Sequence, residues 1–237
     1  LLWGCIPTKA LLEHAHALKI VQNAKEWGVS IAGGGEGARI DMPQVQARKD
    51  RVVNGLTKGV EFLFKKNKIE WIRGTGRLAG SGKVEVTGST PRSISAREII
   101  VATGSAPRSV PGITIDKKHI VTSDEAIHLP VVPKTIAIMG SGAVGVEFAS
   151  IFHQFGSEVT LIELLPRIVP NEDEAVSAEL EKGFRKRKIT VRTPTKVTSA
   201  KMKSGGVTIE MEKHGKKESL TIEKLLVATG RGPVTEG

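Results

Sequence analysis

The chain has 237 residues, 39% of them hydrophobic, with a formal charge of +10, one cysteine and no tyrosine. That is enough for one or two globular domains. The apolar runs fall well short of the ~20 residues that cross a bilayer, and one cysteine excludes a disulfide framework within the chain and points to a reducing compartment. The positive charge raises nucleic acid as a partner, but its distribution argues against one. The basic clusters at 65–68 and 185–188 fall at predicted helix C-termini, where cations complement the dipole, and that at 213–217 falls in a hairpin. Aromatics make up only 4% of the residues, which leaves few stacking platforms.

The lone thiol, Cys5, stands in Trp3-Gly4-Cys5-Ile6-Pro7-Thr8-Lys9, just ahead of a helical pattern. Pro7 suits a first helical position, so the helix is expected over 7–27, with Leu11, Ala15, Leu18 and Val21 as its apolar stripe and Gly28 as its stop. A thiol at a helix N-terminus faces unpaired N–H groups and the positive end of the dipole, both of which favour a thiolate. Taken alone, a single cysteine is more often a buried, inert packing residue.

A glycine-rich loop at 33–37 leads into a second long helix that opens near Asp41 and Pro43 and stops at the lysine cluster. Short segments at 69–73, 77–79 and 83–87, broken by glycines, predict an antiparallel meander. Residues 97–104, ending Ala102-Thr103-Gly104, predict a buried strand. Pro107, Pro111 and Gly112 mark a linker, which places a domain boundary near residue 112 and gives domains 1–112 and 113–237.

A fresh α/β pattern then begins. Strands are expected at 134–139, 158–163 and 189–192, with helices at 143–155 and 172–187 between them. Two hairpin strands at 195–202 and 206–212 follow, and a buried strand closes the pattern in Ala228-Thr229-Gly230. Strand, helix, strand, helix, strand is the mononucleotide-binding unit of a doubly wound sheet.

Gly140-Ser141-Gly142-Ala143-Val144-Gly145 is a G-x-G-x-x-G that follows an apolar strand and opens a helix. In that context the first glycine makes a tight turn, the second admits a pyrophosphate, and the third packs helix on strand. Glu163 ends the next strand, 21 positions after Gly142 (163 − 142), where an acid accepts ribose hydroxyls and repels a 2′-phosphate. That selects NAD over NADP, although Arg167 lies four residues on. The repeated A-T-G at 102–104 and 228–230 suggests two related nucleotide-binding folds.

Taken together, G-C-I-P-T-K, the two A-T-G strand ends and the glycine loop with Glu163 resemble the flavoprotein disulfide reductases. Within them the likeness is greatest to the branch that oxidises dihydrolipoamide, and it runs essentially end to end. Supporting segments include Lys9-Ala10-Leu11-Leu12, Val110-Pro111-Gly112 and Gly230-Arg231-Gly232-Pro233. The resemblance implies a Rossmann-like α/β fold, with part of an FAD-binding domain carrying the meander and a doubly wound NAD domain after it. It implies FAD and NAD as cofactors and no structural metal. Cys5 matches the second cysteine of the family's C-x-x-x-x-C, the one beside the flavin; the first would fall one residue before Leu1. Lys9 matches the lysine beside the flavin, and Glu147 the acid that pairs with it. Gly76, Thr103, Gly104 and Ser105 match flavin-contacting positions. Gly140, Ser141, Gly142, Ala143, Val144, Gly145, Val146, Glu147, Glu163, Val197 and Gly230 match NAD-contacting ones.

The reaction implied is oxidation of protein-bound dihydrolipoamide with reduction of NAD⁺. The implied partners are the lipoyl domain of the dihydrolipoyl acyltransferase in 2-oxo acid dehydrogenase complexes, and a second subunit in a homodimer. A bacterial cytoplasm is the expected compartment, with an organelle matrix as the alternative. Glutathione and mercuric reductases share the scaffold, and a non-catalytic NAD-binding module is a reading from another class. The chain has no initiator Met, no visible signal peptide, no upstream flavin glycine motif and no dimerisation domain with its His-Glu pair. It therefore reads as an internal piece, expected to fold in part but not to turn over.

Overall fold

A computed structural model describes residues 2–203 and 205–235. The chain divides into two compact units, one of residues 1–55 and 107–231, the other of 56–106 and 232–237. In the first unit, helix α1 (Cys5–Gln22) is followed by a 3₁₀ turn (Ala24–Trp27). Gly28 ends that turn in the left-handed region. The thiol therefore occupies the first helical position and Pro7 the third, rather than the first. A proline is tolerated throughout this turn, because its N–H would have no helical acceptor. Helix α2 (Met42–Lys66) starts in this unit and continues into the other.

The centre of the first unit is a parallel sheet in the order β5 (Ile120–Val121), β12 (Lys224–Val227), β6 (Thr135–Met139), β7 (Glu158–Ile162), β8 (Thr190–Arg192). Helix α4 (Ala143–Phe155) connects β6 to β7, and α5 (Glu174–Lys186) connects β7 to β8. The strands are apolar on both faces because both faces are covered. Ile136, Ile138, Leu161 and Leu226 pack with Leu11 of α1, Val45 of α2, Phe148 and Phe152 of α4, and Phe184 of α5. Ala137, Met139, Ile162, Leu225 and Val227 pack instead on Ala200, Val207, Ile209, Met211 and Ile222. Those residues line an antiparallel sheet of β9 (Lys196–Lys203), β10 (Gly206–Lys213) and β11 (Lys216–Ile222). The fold is of the expected Rossmann-like α/β class.

Among the small elements that escape the sequence reading are β5 and the one-turn helix α3 (Ser123–Ala126). The latter is closed by a capping box in which Thr122 receives the Asp124 N–H and its own N–H reaches Glu125. Lys49 of α2 is 1% exposed. Its ammonium donates to Gln46 Oε1 at 2.6 Å and the Ile127 carbonyl at 3.1 Å, and lies 3.0 Å from His128 Nδ1 and 3.2 Å from Asp50 Oδ1.

In the second unit the meander is β1 (Thr75–Leu78), β2 (Lys83–Thr87) and β3 (Arg92–Ser95). Residues 69–73, read as its first strand, form no strand; 92–95 take the third place. Trp71 stacks beneath the Arg73 guanidinium and meets Phe64 edge-on instead. Residues 97–104 are likewise not the buried strand expected from their apolar run. Ile100 is 91% exposed, and no described strand pairs with this segment. Apolar content favours a strand only where a ladder partner satisfies its N–H and C=O groups. A two-stranded ribbon of β4 (Ser105–Pro107) and β13 (Arg231–Pro233) closes the description.

Candidate functional site

The sheet reverses direction between β6 and β12. From β6 the chain moves outward to β7 and β8, then returns to add β12 on the other side. Crevices at such a reversal, beyond the carboxyl ends of the strands, are where open α/β sheets hold ligands. The glycine loop leaves β6 at this point, and each of its glycines has a different reason to be there. Gly140 has φ +99°, and a Cβ on it would stand 2.4 Å from the Ala228 carbonyl oxygen at the end of β12. On Gly145 it would stand 2.0 Å from the Gly140 carbonyl oxygen. On Gly142, the N-cap of α4, a Cβ would meet nothing within 4 Å. Two glycines are thus dictated by packing, while the third leaves open space at the positive end of a 13-residue helix. Ala143 is exposed beside it; Val144 and Val146 pack toward the core.

Glu163 follows β7 and is 8% exposed. Its Oε2 accepts the Ser141 N–H at 2.9 Å and the Ser141 hydroxyl at 2.8 Å, and its Oε1 accepts the Leu165 N–H at 2.9 Å. The acid is thus tied directly to the glycine loop, and Ser141, a free position in the motif, is its partner. Arg167 is engaged within its own loop. Nη1 lies 2.5 Å from Glu174 Oε1, and Nη2 donates to the carbonyls of Pro170 at 3.0 Å and Glu172 at 3.2 Å. Val169, at φ +40°, donates its N–H to the Ser141 carbonyl at 3.0 Å. A β-branched residue at positive φ is strained, and no sequence signal announces it. Val197 lies in β9 opposite Met211, beside a bulge. Thr195, just before that strand, donates its N–H to the Glu163 carbonyl at 2.7 Å. Gly230 is at φ +116°, and its carbonyl accepts the Arg108 N–H at 2.9 Å.

On the helical face, α1 packs against α4. Cys5 is exposed and free at the start of α1. The Thr8 N–H and hydroxyl both donate to the Gly4 carbonyl, at 3.1 and 2.8 Å, closing the first turn. One turn after Cys5, Lys9 Nζ lies 2.5 Å from Glu147 Oε1 of α4. The helix carrying the thiol is therefore bridged to the helix opened by the glycine loop.

The four remaining positions lie in the second unit. Gly76 is an exposed β1 residue paired with Val86. Thr103 donates its hydroxyl to the Val234 carbonyl, and the Gly104 carbonyl, at φ +82°, accepts the Val234 N–H at 3.1 Å. Ser105 begins β4.

A model of the pyridine nucleotide-disulphide oxidoreductase family matches residues 1–237. The chain belongs to that family. It is 40% identical over 238 residues to dihydrolipoyl dehydrogenase 3 of Pseudomonas putida, covering 99% of this chain and 50% of that one. It is 39% identical to the mitochondrial dihydrolipoyl dehydrogenase of Schizosaccharomyces pombe, covering 99% and 46%. Among solved structures, the HOCl-induced flavoprotein disulfide reductase RclA of Escherichia coli superposes with a TM-score of 0.78 at 26% identity, over 99% of this chain and 48% of that one. LpdA of Mycobacterium tuberculosis shares the fold, with a TM-score of 0.86 at 23% identity, over 100% and 51%. The chain spans about half the length of the relatives it matches.

Three histidines have surroundings of their own. His14 Nδ1 lies 2.7 Å from the Ala10 carbonyl of its own helix. Burial lowers the pKa of His14, of His128, which also faces Lys49, and of His153, which also faces Arg187. Among the described residues no three of His, Cys, Asp and Glu gather to hold a metal, and no helix is long and apolar enough to cross a membrane.

Proposed function

We propose that this chain supplies about half of a dihydrolipoyl dehydrogenase, an enzyme that oxidises protein-bound dihydrolipoamide to lipoamide and reduces NAD⁺ through FAD and a redox-active disulfide. The observation that carries this reading is the docking of the Cys5 helix on the glycine-loop helix through Lys9 and Glu147. It sets the thiol-bearing helix against the helix that the glycine loop opens. The open space over Gly142 fits a pyrophosphate at the α4 N-terminus. When bound, FAD would pass two electrons between the disulfide and NAD⁺.

The residues of this chain have the following parts. Gly140 and Gly145 hold the turn, and Gly142 with the Ala143, Val144 and Val146 backbone receives the NAD pyrophosphate. Glu163, held by Ser141, turns a carboxylate toward the adenosine ribose, and Val197 and Gly230 flank the same dinucleotide. Cys5 is the flavin-side half of the disulfide that opens as the substrate dithiol closes. Per turnover the substrate loses two electrons and two protons; NAD⁺ gains the electrons with one proton, and the other proton is released. Lys9 stands near the flavin, oriented by Glu147, and Gly76, Thr103, Gly104 and Ser105 contact it. The domains run 1–112 for the FAD-binding part and 113–237 for NAD. The whole protein is a homodimer that meets the lipoyl domain of a dihydrolipoyl acyltransferase, in a bacterial cytoplasm.

The test is dihydrolipoamide-dependent NADH formation by the full-length protein and by its Cys5→Ser variant. The wild type is expected to form NADH, and the variant to lose at least about a thousandfold in rate, as for removal of other covalent redox or nucleophilic groups. Activity with NADPH and oxidised glutathione but none with lipoamide would overturn the substrate. An undiminished Cys5→Ser rate would overturn the role of the thiol.

A further inference from the structure

Arg167 is the one cation that the β7–α5 loop places near the acid of the dinucleotide site, and in doubly wound folds an arginine in this region accommodates a 2′-phosphate. Both terminal nitrogens of its guanidinium are already engaged, and its Nε is buried. Glu174 Oε1 takes Nη1, and the Pro170 and Glu172 carbonyls take Nη2. The acceptors are themselves held in place. Glu174 is the first residue of α5, whose N-cap Asp173 accepts the Ala175 N–H at 2.8 Å. The loop is pinned to the glycine turn by the Val169 N–H, and to α5 by the Ser177 hydroxyl, which donates to the Ile168 carbonyl at 2.6 Å. Glu174 is largely exposed, at 85%, and Arg167 is half-buried, at 36%. A pair with one side this exposed adds little to stability, so its main consequence is the direction in which the arginine points.

We infer that Glu174 is a specificity-determining residue: it holds the Arg167 guanidinium against the start of α5 and so withholds it from a 2′-phosphate. This inference rests on the reading that the glycine loop and Glu163 hold NAD. Discrimination against the phosphorylated cofactor then has two parts, repulsion by Glu163 and sequestration by Glu174 of the one cation in the β7–α5 loop. Glu174 does not touch the dinucleotide; it is a positioning residue acting through Arg167.

The test measures Kd for NADH and NADPH by fluorescence titration of the wild-type protein and of Glu174→Ala, Glu174→Gln, Arg167→Ala and the double variant Arg167→Ala/Glu174→Ala. Glu174→Ala is expected to bring the NADPH-to-NADH ratio of Kd down on the order of tenfold, the effect of one freed charge near a phosphate. That gain should fade at high salt. Glu174→Gln, which keeps an acceptor for the guanidinium, should give a smaller change. The double variant should show no gain over Arg167→Ala. An unchanged ratio in Glu174→Ala overturns the inference. So does a double variant that gains as much as Glu174→Ala, since Glu174 would then act by its own charge. A wild-type protein that binds neither dinucleotide overturns the NAD reading itself, a result distinct from either.

Discussion

Alanine at Gly145 would place a methyl carbon 2.0 Å from the Gly140 carbonyl oxygen, whereas real Cβ atoms essentially never come within 3.0 Å of such a neighbour. The first turn of α4 would have to move away from β6 by at least about 1 Å, and the obstacle is backbone, which cannot rotate aside. Overpacking of this kind costs about 1–3 kcal/mol and sometimes more, and a backbone clash belongs at the top of that range. For a chain of this size, about 3 kcal/mol lowers the unfolding midpoint by roughly 6–12 °C. Gly142→Ala is the contrasting case. Its φ of −68° suits any residue and nothing lies within 4 Å, so only the N-cap preference is lost, at under about 1 kcal/mol. The added methyl would instead stand where backbone must approach the pyrophosphate, and NADH binding should weaken at least about tenfold. Thermal unfolding by circular dichroism and NADH titration separate the two effects. If Gly142→Ala melts as early as Gly145→Ala, or binds NADH as tightly as the wild type, the division of labour among the glycines is wrong.

Two further outcomes follow from titratable groups. Lys49→Met removes an ammonium and leaves the Ile127 carbonyl and Gln46 without their donor, and should lower stability by about 2–3 kcal/mol in urea unfolding; a loss under about 0.5 kcal/mol would show that the cluster re-pairs. Partial desolvation holds the folded pKa values of His14, His128 and His153 below the ordinary 6.5, so the unfolded chain binds more protons in acid. The stability they contribute is present above 6.5 and is lost as pH falls through and below it. The melting temperature should drop between about pH 7.5 and about pH 5.5, and a flat profile would contradict the assignment.

The parallel core was legible because its signals are local and strong. Ile136 to Met139 are apolar without alternation, Gly140 breaks the strand, and Phe148 and Phe152 recur at helical spacing. Residues 97–104 and 69–73 carry similar apolar content and are not strands, because pairing depends on neighbours that no local pattern encodes. Spacing after the glycine loop singles out Glu163 as the candidate acid. Its bonds to Ser141, the engagement of Arg167 by Glu174 and the positive φ of Val169 join residues 22, 7 and 28 positions apart (163 − 141, 174 − 167, 169 − 141). Such links are products of packing, and a one-dimensional reading cannot rank them.

Strand β12 enters the parallel sheet between β5 and β6, although it is the last of the five in the chain. During synthesis, β6 therefore leaves the ribosome 85 residues before the strand that completes its edge (224 − 139). At ~5–20 residues per second, that interval lasts roughly 4–17 s. Throughout it, the N–H and C=O groups along Ile136–Met139 that β12 later takes are open to any other extended strand. The nascent chain is most prone to association in that window, and it closes when Leu225, Leu226 and Val227 arrive. The wait for a four-residue strand is thus a kinetic hazard set by topology, independent of how stable the finished sheet is.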